Sequence, residues 1–123
     1  MAFLMDDLGN INLVQGDSGT LIVDGILTDK NYSVYFAFYN SNRIIVGEEL
    51  CVNSNYNSVV TFAISGELTN LLTVNPEDET AEYYYGLKVC DPLTNYEDTL
   101  IVGDGEIGAL NSVIVYPKKV EGI

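Results

Sequence analysis

Ala81-Glu82-Tyr83-Tyr84-Tyr85-Gly86-Leu87-Lys88-Val89-Cys90 is followed by Asp91-Pro92-Leu93-Thr94-Asn95-Tyr96-Glu97 and then by Asp98-Thr99-Leu100-Ile101-Val102-Gly103. Two runs rich in aromatic and branched residues flank seven residues of turn chemistry. Aromatic and β-branched side chains fit a pleated, half-buried surface, while Pro, Asn and Asp punctuate one. The pattern predicts a long β-hairpin. Successive side chains on a strand point to opposite faces. Tyr83, Tyr85, Leu87 and Val89 therefore share one face, and Glu82, Tyr84, Gly86 and Lys88 the other. The first set is expected in the core, packed with Phe36 and Phe62 from earlier strands.

Working back toward the N-terminus, the same alternation recurs. Tyr32 to Tyr39 reads as a strand with Val34, Phe36 and Phe38 on one face. Asn40-Ser41-Asn42-Arg43 turns the chain, and Ile44 to Val46 returns it as a hairpin. Gly47 marks a bulge, after which Leu50-Cys51-Val52 continues the strand. Val59 to Ile64 carries Val60, Phe62 and Ile64 on one face. Ile11 to Gln15 and Thr20 to Val23 are shorter strands around the turn Gly16-Asp17-Ser18-Gly19. Ser65 to Leu72 has helical character for a single turn only. Ser112 to Tyr116 is the last strand, and Pro117 interrupts its pairing or puts it at an edge. Short, evenly spaced strands with Gly, Asn and Asp turns predict an all-β domain, an antiparallel sandwich or barrel. Residues 11–123 are expected to form that single domain, preceded by an N-terminal arm, residues 1–10. A chain of 123 residues buries roughly two thirds of its unfolded surface, enough for a core without staples.

Charge narrows the function classes. Eighteen acidic residues stand against five basic ones, a formal net charge of −13. Nucleic-acid binding needs clustered Lys and Arg and is excluded on this count, as is an anionic membrane surface. No signal peptide is expected, because Met1 to Leu8 carries two Asp and too short an apolar run. Synthesis in a cytoplasm follows from that. Cys51 and Cys90 do not make a disulfide framework, and they pair only if their strands bring them together.

No motif supplies a catalytic set. Gly16-Asp17-Ser18-Gly19 spells the local sequence around a serine-protease nucleophile, but that mechanism needs a histidine base and the chain has none. The stretch is expected to be a turn and the protein not an enzyme. Glu77, Asp78 and Glu79, then Asp91, Asn95 and Glu97, then Asp104 and Glu106 offer oxygen ligands without EF-hand spacing. They are expected to be solvated loop charge, with no metal and no cofactor. Asn31-Tyr32-Ser33 is a glycosylation sequon, read as accidental without a secretory signal.

The central hairpin and the closing strand Val113-Ile114-Val115-Tyr116-Pro117 together resemble tailed-phage structural domains, and most nearly the N-terminal domain of upper baseplate proteins. The resemblance spans residues 11 to 120, its earlier part resting on the hairpin from Tyr32 to Val46 and the strand to Ile64. It implies an immunoglobulin-like β-sandwich that mounts or connects parts of a virion, in tail, baseplate or head fibre, among other virion proteins. No catalytic residue transfers, because that family has none. The rival expectation is an adhesin-like module that binds carbohydrate or a receptor.

Assembly is where the arm matters. Phe3, Leu4, Met5 and Leu8 are four apolar residues that an isolated soluble chain has little reason to leave in water. With Tyr84, they are the candidate protein-interface residues. A homo-oligomer is expected, its contacts made by the arm and an exposed strand edge. The number three, a trimer, rests on the resemblance.

Overall fold

The computed structural model describes residues 3–91, 93, 97–100 and 111–118, with the backbone alone for 97–100. In chain order the elements are β1 (Phe3–Met5), β2 (Ile11–Val14), β3 (Gly19–Val23), β4 (Ser33–Tyr39), β5 (Ile45–Asn53), β6 (Val60–Ile64), a helical turn α1 (Gly66–Thr69), β7 (Ala81–Cys90), β8 (Glu97–Leu100) and β9 (Asn111–Tyr116). The domain is all-β. Its larger sheet runs in the order β1-β2-β9-β7-β4-β5, and β3 pairs with β6 as a second, two-stranded sheet.

β7, the strand with the Tyr triplet, is the hub. On one side it pairs with β4 along most of its length, from Tyr84 opposite Tyr39 to Cys90 opposite Ser33. Its other side is shared, with Ala81 to Tyr85 against β9 and Leu87 to Cys90 against β8. A strand this long is required because three neighbours use it. The predicted hairpin is therefore present, with its second strand at Glu97–Leu100; the expected continuation through Gly103 and the loop at Asp104 to Gly108 lie outside the described residues.

The two sheets share one core. Val34, Phe36 and Phe38 of β4 are fully buried, as is Tyr85 of β7; Leu87 is buried beside them, and Leu21, Phe62 and Ile64 face them from the small sheet. Phe36 is the junction. Its ring lies 4.9 Å from that of Phe38 and 5.5 Å from Tyr85 within the large sheet, and 5.7 Å from Phe62 of the small one, so the layers meet at the Phe36–Phe62 contact. Tyr83 and Val89, expected inside with Tyr85 and Leu87, line the margin of the core instead. The Tyr83 hydroxyl reaches the Thr73 carbonyl at 2.8 Å, a polar partner available only at that margin.

One pairing corrects the expectation of an antiparallel sheet. β2 and β9 run parallel, with Ile11 beside Val113 and Leu13 beside Val115. The register brings four apolar side chains from the two ends of the chain together out of water. Parallel neighbours need a long crossover. Here almost the whole domain is that crossover. β9 is thus an interior strand, and Pro117 follows its end, where a missing N–H interrupts no ladder.

The bulge at Gly47 is present. Phe36 faces Leu50 while Phe38 faces Val46, so Ala37 alone opposes the three residues Gly47, Glu48 and Glu49 of β5. Gly47 sits at φ +80°, where a Cβ is strained. The α1 turn is capped by Ser65, whose side chain accepts from the Leu68 N–H at 3.1 Å. Leu68 and Thr69 are its buried residues.

Candidate interaction surface

The N-terminal residues are part of the sheet. Phe3–Met5 pair antiparallel with β2, with Leu4 opposite Asn12. Asp6 builds the connecting turn: its carboxylate accepts from the N–H groups of Leu8 and Asn10 at 2.9 Å each, and Gly9 takes φ +82°. The turn is tied into the domain at three points. Asn111 donates to the Leu8 carbonyl at 3.1 Å, the Ser112 N–H donates to the Asn10 side chain at 3.1 Å, and the buried Tyr85 hydroxyl donates to the Gly9 carbonyl. Burial, with a smaller effect of Asp6, pushes the Tyr85 phenol far up.

Phe3 closes one side of the molecule. A methyl group built on Gly19 at the start of β3 would overlap the Phe3 side chain, so the ring is seated against the glycine of the other sheet. Leu4 points the opposite way, to the outer face, and is 69% exposed; Met5 is 37% exposed and Leu8 52%. Leu4 and Met5 line a shallow groove of about 380 Å³ with Asp6, Asn12, Val14 and Tyr116. Val14 and Tyr116 were absent from the expected set. The parallel pairing of β2 with β9 puts them there, and no local pattern announces it.

β1 is an edge strand with no Pro, no charge and no bulge, the devices by which edges are usually blunted. The far edge, β5, has its bulge together with Glu48 and Glu49. Among the described residues, one end of the sheet is thus open for pairing and the other guarded.

Tyr84 is not brought together with the arm. It lies on the same outer face, three strands in from β1, half-buried between Tyr39 and Ser112 in register. Its hydroxyl donates to Glu82 at 3.0 Å, and that hydrogen bond raises its phenol.

The other singled-out residues have local structural partners. Gly16 takes φ +87° in the turn before β3, and the Asp17 carbonyl accepts from Thr69 at 2.7 Å, joining the Gly-Asp-Ser-Gly turn to α1. Asn31 of the sequon accepts from the Asn55 N–H at 2.7 Å. Asp91 pairs with Lys30 at 2.6 Å, a contact that holds the Lys30 ammonium up. Cys51 and Cys90 lie on β5 and β7, either side of β4. At about 4.8 Å per strand spacing their Cα atoms are roughly 10 Å or more apart, beyond the reach of a disulfide. Neither is in a disulfide. Among the described residues no three His, Cys, Asp or Glu side chains group to hold a metal ion, and no helix is long and apolar enough to cross a membrane. Asn95 and Glu106 lie outside the described residues, and Glu97 is described in its backbone alone.

No protein-family model matches the chain, and no curated protein matches it. The functional reading therefore stands on the surface itself.

Proposed function

We propose that the chain is a structural module of a tailed-phage virion, an immunoglobulin-like sandwich that mounts or connects parts of the tail, baseplate or head fibre. It works by shape and strand pairing, and carries out no chemistry of its own. The observation that carries this reading is the open β1 edge, a run of Phe, Leu and Met at one end of a seven-stranded sheet, beside an apolar groove. Main-chain groups along such an edge pair with a strand from another chain, and the flanking side chains set the register. Copies assemble through it into a homo-oligomer, a trimer, which sits among other virion proteins. The net charge of −13 opposes association. At physiological salt the screening length is about 8 Å, so apolar burial at the edge outweighs distant repulsion. Quantitative mass spectrometry of purified virions tests the proposal. A fixed, stoichiometric copy number supports it, and absence from the particle defeats it.

One observation favours a second reading, an adhesin-like module for carbohydrate or a receptor. At the end of the domain away from α1, three loops expose Leu27, Tyr56 and Leu93. Those loops are tied together by Tyr32 N–H to Ser54 at 2.9 Å, Asn55 N–H to Asn31 at 2.7 Å and Lys30 to Asp91 at 2.6 Å. Asn55 and Tyr56 both adopt left-handed backbone, at φ +51° and +61°. Glycan-array binding that Tyr56→Ala abolishes would favour this reading over the first.

A further inference from the structure

The two sheets are closed differently on their two sides. On the β1 side Phe3 is seated on Gly19. On the other side β5 and β6 are neighbours without being paired, and a groove of about 390 Å³ runs along their seam. Gly47, Glu48 and Leu50 come from β5, Ala63 from β6, and Ser65, Glu67, Leu68 and Leu71 from α1 and its flanks. The groove is shaped by the bulge. A Cβ on Gly47 would stand 2.5 Å from one methyl of Leu68 and 3.1 Å from one of Leu71, so the glycine is what lets the leucines lie under the strand. Leu71 remains 50% exposed there.

The lining combines apolar side chains with two acids and no base. We propose that this seam receives an extended segment of a different protein, one that places a large aliphatic side chain against Leu50, Leu68 and Leu71 and a Lys or Arg beside Glu48 and Glu67. Charge complementarity selects the occupant. A basic segment is drawn to a rim that carries Glu48 and Glu67 and no Lys or Arg. The seam is separate from β1, so this inference stands or falls independently of assembly through that edge.

Methyl and amide NMR titration with two capped pentapeptides, Lys-Leu-Lys-Leu-Lys and Glu-Leu-Glu-Leu-Glu, tests it. The basic peptide is expected to shift Leu50, Ala63, Leu68 and Leu71 saturably, and the acidic peptide to leave them in place. Glu48→Lys with Glu67→Lys weakens the basic peptide at least about tenfold, a difference near 1.4 kcal/mol. The same charge change at Glu77 and Glu79, in an exposed loop, leaves binding within about twofold. Amide spectra confirm that both variants fold. Equal weakening by the two pairs, equal binding of the two peptides, or shifts spread over the acidic surface would overturn the proposal. So would self-association at the seam that Arg43→Glu removes, because a second copy's exposed Arg43-Ile44-Ile45 turn would then be the occupant.

Discussion

Replacing Tyr85 by Phe removes one oxygen and leaves the ring. The ring is wholly buried against Phe36, so packing is unchanged to first order. What is lost is the donor to the Gly9 carbonyl, and Gly9 is itself buried. An unsatisfied buried acceptor costs about 1–3 kcal/mol, against roughly 3–5 for truncating the whole side chain to Ala. The expected loss for Tyr85→Phe is therefore about 2 kcal/mol, read as a lower urea midpoint at constant m. Amide exchange should localise the effect, with Leu8 and Asn10 losing protection before the β4 and β7 ladder does. The pH dependence follows from the same burial. The phenol's folded pKa is raised, so its contribution is full below the unfolded value of about 10 and is lost as pH rises above it, by at most about 1.4 kcal/mol per pH unit. The Phe variant lacks that component, and the two stability curves should converge in alkali. An unchanged midpoint, with Leu8 and Asn10 as protected as before, would refute the claim that Tyr85 pins the N-terminal turn.

Gly19→Ala pushes against the seated Phe3 and should cost about 1–3 kcal/mol, freeing β1 amides to exchange while the core aromatics stay put by near-ultraviolet circular dichroism. Ser65→Ala removes the α1 cap and should lower stability by about 1 kcal/mol in the same urea assay. Ser18→Ala is expected to change no peptide or ester hydrolysis rate, and labelling of Ser18 by a serine-directed phosphonate would contradict that.

The parts of the fold that were legible in the sequence are those with local causes. Val34, Phe36 and Phe38, and Val60, Phe62 and Ile64, alternate with exposed or half-exposed residues along most of their strands, and the period of two specified both strand and inward face. Asn40 at the β4–β5 turn and Gly47 at the bulge act on backbone within a few residues, so they too were readable. Contacts between distant segments were not. Nothing in Ile11 to Val14 or Asn111 to Tyr116 says that they run parallel, because β-branched alternation is the same for both directions. Phe3 to Met5 is too short for a pattern, and its strand identity comes from the β2 backbone beside it. The apolar exposure of Leu4 and Leu8 was readable as an anomaly of composition. Their groove partners Val14 and Tyr116, and the seam between β5 and β6, exist only once the sheets are assembled.

The mass of the purified chain by light scattering, taken at several salt and protein concentrations beside a Leu4→Lys variant, tests assembly through β1 most directly. Leu4 is exposed, so the variant should melt with the parent, and the β1 edge then gains the kind of charge that blunts pairing. The parent is expected to be a trimer that strengthens with salt, and the variant a monomer. A parent that stays monomeric at high salt and high concentration, or a variant that assembles equally well, would contradict it.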